Sequence, residues 1–129
     1  MSLRNELPTL SAAQLEVMEV IWEKAECSVT DVWEVLRARR RVARNTVLTV
    51  ITRLDEKGWL KRRPEGNGFL YRATATRETT QKQMVGELVA TIFKGSAEGL
   101  VLTLLNETLP TDEANRIRSI IAKAKGRKK

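Results

Sequence analysis

Asn45, Thr46, Thr49 and Arg53 are the residues of this chain best suited to selective chemistry. In a helix they share one side, opposite Val47, Val50, Ile51 and Leu54, which follow the i, i+3, i+4, i+7 pattern of a buried stripe. Their side chains match the edges of DNA bases. An asparagine amide pairs bidentately with adenine, a guanidinium with guanine, and a threonine methyl meets a thymine methyl. Thr52 and Glu56 fall on the same polar face. An ordinary amphipathic helix is the plainer explanation, but three threonines are poor helix fillers. Short side chains that allow close approach to a groove explain them better. Arg44 opens the segment, so Arg44, Asn45, Thr46, Thr49 and Arg53 are assigned to base readout.

Cations crowd around this segment. From Arg37 to Arg63 there are ten basic residues against Asp55 and Glu56, within a chain of 129 residues and formal net charge +7. One or two cations satisfy a helix C-terminus. Five arginines between Arg37 and Arg44 repel one another unless an anion binds them. Such density is an electrostatic footprint for phosphate, whereas a solvated face usually mixes signs. Phosphate contacts are therefore assigned to Arg39, Arg40, Arg41, Lys61, Arg62, Arg63, Asn67 and Arg72.

Other chemistries lack their residues. There is no histidine and a single cysteine, Cys27. That excludes a disulfide within the chain, a Cys/His metal site and histidine acid–base catalysis. Gly66-Asn67-Gly68 reads as a hairpin turn, with Asn67-Gly68 as the turn signal, rather than a phosphate cradle. No nucleophile–base pair stands out, so no enzyme, metal or cofactor is expected. No apolar run reaches membrane-spanning length and no signal peptide opens the chain, so a cytoplasmic protein is expected.

The elements that position these residues follow from periodicity and caps. Ser11 with Gln14 forms a capping box for a helix over 12–24, striped by Leu15, Met18, Ile21 and Trp22. Residues 27–29 form a connector with a stub of strand. Ser28 or Thr30 caps a second helix, striped by Val32, Val35 and Leu36 beside Trp33. The third helix runs over 44–57 and stops at Gly58. Residues 59–63 and 69–73 read as two strands around a turn at 64–68. The order is that of a winged helix-turn-helix: mostly α, with a small β-hairpin.

A helical arm follows. The spacing predicts a helix from Arg77 to Phe93 capped at Thr76, an apolar helix over 100–105, and a last helix after Pro110, capped by Thr111. The domains are read as 1–75, DNA-binding, and 76–129, dimerising. Val85, Leu88, Val89, Ile92, Leu100, Leu104, Leu105, Ile117, Ile120 and Ile121 are more aliphatic surface than so small an arm can bury alone. A second copy would cover it and pair two recognition helices for a palindromic site. The competing arrangement folds the arm back on its own winged domain.

Residues 10–22, LSAAQLEVMEVIW, resemble the opening of the penicillinase-repressor family (the BlaI/MecI/CopY type). Residues 45–60, NTVLTVITRLDEKGWL, resemble that family's recognition helix and its exit, and residues 95–101, GSAEGLV, a segment of its arm. The resemblance implies a homodimeric repressor of dyad operators, often at resistance or copper-handling genes. By position it implies DNA-facing roles for Thr46, Thr49 and Arg53, while Arg44 and Asn45 stand where members vary. Copper-responsive members carry a cysteine-rich C-terminal motif, which this chain lacks. β-Lactam-responsive members are cleaved at an Asn-Phe bond, where this chain has Thr103-Leu104. An inducer or protease thus remains an unidentified partner beside double-stranded operator DNA and a second copy. The competing function is a winged-helix module that docks an acidic protein through the basic patch.

Overall fold

The computed structural model describes residues 7–127. The chain divides into two compact units at Lys82 and Gln83. In the first, α1 (Ala12–Lys24), α2 (Val29–Arg37) and α3 (Arg44–Glu56) precede an antiparallel hairpin of β1 (Leu60–Glu65) and β2 (Gly68–Ala73). Helix α4 (Arg77–Thr91) carries the chain across the division. The second unit holds α5 (Ala97–Thr103), a π-helical turn over Leu104–Thr108, and α6 (Thr111–Arg127).

Local chemistry sets the helix starts. Ser11 and Gln14 form a reciprocal capping box at α1, and Ser28 with Asp31 forms another at α2. Thr76 accepts from the Thr79 amide at the start of α4. Thr111 is the first helical residue of α6 rather than its cap, and the Pro110 carbonyl accepts from Ala114. At the exit of α3, Gly58 takes φ +92°, and a Cβ there would sit 3.3 Å from Leu7. Glycine serves both needs at once.

Val17, Met18, Ile21, Val32, Leu36, Val47, Ile51, Leu54 and Trp59 form one core between the three helices and the hairpin. Each fully buried aliphatic side chain contributes about 1.5–3 kcal/mol. Val50, expected in the core, is half-buried at its edge. The three tryptophans fasten irregular segments through their indole N–H groups. Trp59 donates to the Pro8 carbonyl, Trp33 to Val42 and Trp22 to Ala75, each at 2.9 Å. The Trp33 bond holds the connector that feeds α3.

The hairpin is longer than expected. Pro64 pairs with Phe69 and Glu65 with Gly68, leaving Gly66 and Asn67 as the two-residue turn. Gly66 takes φ +61° while Asn67 stays negative, the type II′ pattern with glycine first. The expected Asn-Gly pair is therefore shifted one residue back. Cys27 forms the expected stub of strand, exchanging backbone hydrogen bonds with Tyr71 at 3.1 and 2.8 Å. Burial pushes its thiol up to about 11, so it stays protonated and inert near neutrality.

Candidate nucleic-acid interface

Every side chain assigned to bases or phosphates is exposed, and all lie on the first unit. On α3, Asn45, Thr46 and Arg53 make no side-chain hydrogen bond or ion pair among the described residues. Thr49 donates its hydroxyl to the Asn45 carbonyl at 3.0 Å. This back-bonding leaves its methyl as the group free for contact. Arg44 donates from Nε to the Thr30 hydroxyl at 3.0 Å, which ties the start of α3 to α2.

The N-terminus of α3 differs from those of α1 and α2. Its N-cap is Ala43, and no side chain accepts from its first amides. Helix amides left open in this way favour an anion, because the dipole and the N–H groups point the same way. Arg39 and Arg41 lie just before it, exposed and unpaired among the described residues. The helix start is thus suited to a DNA phosphate.

The phosphate candidates fall into two groups. Arg39, Arg41, Lys61, Asn67 and Arg72 have no ion pair or side-chain hydrogen bond among the described residues. Arg40, Arg62 and Arg63 already hold carboxylates. Arg40 bonds Glu16. Arg63 forks onto Glu26, with Nε 2.8 Å from Oε2 and Nη2 3.0 Å from Oε1, and reaches Glu65 at 3.2 Å. These bonds hold the Glu16 and Glu26 carboxyls below the usual range, chiefly through the guanidinium donors. Arg62 stands 3.6 Å from Asp55 and lies over the Phe69 ring at 4.4 Å.

Two residues missed in the sequence adjoin this surface. Leu48 is 38% and Phe69 40% exposed, the only large apolar side chains left so open among the described residues of the first unit. Both line a groove of about 440 Å³ between the start of α2, α3 and the wing, with Arg44 and Leu70 also in its wall. The available signal was an apolar residue off the 47/50/51/54 stripe. Beside the polar face of α3, a leucine suits a thymine methyl. Among the described residues no cluster of acidic, cysteine or histidine side chains could hold a metal ion. Among the described residues no helix is long and apolar enough to cross a membrane.

A family model described as "Penicillinase repressor" matches residues 10–123. The chain is 29% identical over 120 residues to the methicillin resistance regulatory protein MecI of Mammaliicoccus sciuri, covering 92% of this chain and 98% of that protein. It is 29% identical over 126 residues to the penicillinase repressor of Bacillus licheniformis, covering 97% and 98%. A solved structure of Bacillus licheniformis BlaI, a monomeric form in complex with the blaP half-operator, aligns with a TM-score of 0.50 and 32% identity, over 57% of this chain and 89% of that one. The two motifs at residues 10–22 and 45–60 both fall inside the matched range. The chain belongs to the penicillinase repressor family of winged-helix, DNA-binding repressors.

Proposed function

We propose that the chain is a cytoplasmic, homodimeric repressor of a palindromic operator. Each copy places α3 in the major groove of one half-site and lays its wing near the flanking backbone. The carrying observation is the polar face of α3. Asn45, Thr46 and Arg53 extend unengaged from a helix whose other face is buried, and Thr49 offers its methyl beside them. The related BlaI bound to its half-operator supports the same use of this unit. Base contacts then specify, while Arg39, Arg41, Lys61, Arg72 and the amides at the start of α3 position the helix on the phosphates.

Support for the dimer lies in the second unit. Ala114 is its one buried side chain among the described residues, while Ile92 and Ile120 are 64% and 63% exposed. Val85, Leu88 and Ile121 are also exposed, and Val89, Leu100, Leu104, Leu105 and Ile117 are half-buried. Surface of this kind marks an interaction site, and a two-fold partner covers it while duplicating the reading head.

Selection of bound duplexes from a random library, paired with sedimentation of the free protein, tests this. Enrichment of a palindrome with half-sites about one helical turn or a multiple apart, together with a dimer at micromolar concentration, is expected. A monomer, or recovery of unrelated sequences without symmetry, would contradict it.

A further inference from the structure

Helix α1 and the residues that follow it present Glu16, Glu19, Glu23 and Glu26, and three of these hold arginines from three different elements. Arg77 at the start of α4 bonds Glu19 and also lies over the Trp22 ring, at 5.7 Å. Arg40 and Arg63 belong instead to the basic stretch that flanks α3. Each is more than half exposed, yet each spends donors on an acidic side chain, Arg63 in a two-bond fork. From these pairings we propose that Glu16 and Glu26 compete with DNA phosphate for Arg40 and Arg63 and so lower the chain's affinity for duplex of any sequence. The inference rests on the DNA-binding reading.

The two pairs touch only one part of the binding free energy. Binding to random duplex consists almost wholly of phosphate contacts. An unpaired guanidinium such as Arg41 gains the full benefit of a phosphate. A guanidinium already paired with a carboxylate must exchange one anion for another, so its gain is reduced by the worth of the pair. Base contacts from α3 involve neither pair. Glu16 and Glu26 therefore reduce the sequence-independent share and leave the discriminating share intact. That share enters binding to operator and to random duplex alike, so the pairs set how tightly the chain holds DNA without changing the ratio between the two.

A purely structural role fits less well. Exposed ion pairs contribute little to stability. The wing is already held by its six-pair register and by the two Cys27–Tyr71 backbone bonds, so it does not depend on Glu26. Glu23, exposed on the same helix and unpaired among the described residues, supplies a control for the bare effect of removing one negative charge.

The test measures binding of the full chain to a short random-sequence duplex by fluorescence anisotropy at fixed salt. The proteins are wild type, E16Q, E26Q, E23Q, R40A and E16Q/R40A, each with its melting temperature checked. E16Q and E26Q are expected to bind about two- to fivefold tighter than E23Q, the range to which an exposed pair's worth converts. In the R40A background, E16Q should add no more than E23Q adds to wild type. Equal binding by E16Q and E23Q, weaker binding by E26Q with unchanged melting, or a gain that survives loss of Arg40 would overturn the proposal. A wild-type chain that binds no duplex at all would bring down the DNA-binding reading itself.

Discussion

Truncating Trp59 to alanine will destabilise the first unit by about 3–5 kcal/mol and remove duplex binding with it. Trp59 is 1% exposed and follows the glycine that ends α3. Its amide donates to the Leu54 carbonyl at 2.9 Å, its carbonyl accepts from Thr74 at 3.0 Å, and its indole donates to Pro8. One residue thus joins the exit of α3, the base of the wing and the N-terminal segment, and its indole makes the last of these links. Its loss leaves a large cavity and an unpaired Pro8 carbonyl. Domains of this size hold only about 5–15 kcal/mol in total, so a loss of that size populates the unfolded state. Urea unfolding followed by circular dichroism measures the cost. A midpoint within experimental error of wild type would show that the core does not depend on this residue.

Placing aspartate at both Ile92 and Ile120 will leave the first unit as stable as before, yet operator affinity will fall by about 10²–10⁴-fold, the advantage that joining two binding heads confers. Both positions are largely exposed in the single chain, so charge there costs the monomer little. In a two-fold interface each charge would be desolvated without a partner, which is costly. Sedimentation and gel shift on the selected palindrome read the two effects together. Unchanged mass and unchanged affinity would remove the arm from the dimer.

The sequence made the frame of the first unit legible because local signals dominate there. The Ser11 capping box and its apolar stripe set α1 at Ala12–Lys24, and α3 followed from the 47/50/51/54 spacing with Gly58 as stop. The wing turn was displaced because both Gly66-Asn67 and Asn67-Gly68 satisfy short-range turn preferences; pairing across the strands decided between them. The exposed polar face of α3 was also readable. The state of the cations was not. Arg40 meets an acid 24 positions away and Arg63 one 37 positions away, and no local pattern reports such pairs. Leu48 and Phe69 were hidden for the same reason, since their groove exists only once α2, α3 and the wing are assembled. In the arm, the passage of α5 into a π-helical turn at Leu104 had no counterpart in the apolar run over 100–105.

Helix α3 is proposed to read bases while the surrounding cations hold phosphate. Comparing wild type and Arg53→Ala on the selected palindrome and on random duplex, at one salt concentration, tests it most directly. Arg53→Ala is expected to lose about 1–3 kcal/mol on the palindrome and to relax preference at the base pair it contacts, with much less change on random duplex. Equal losses on both duplexes, or discrimination identical to wild type, would contradict it.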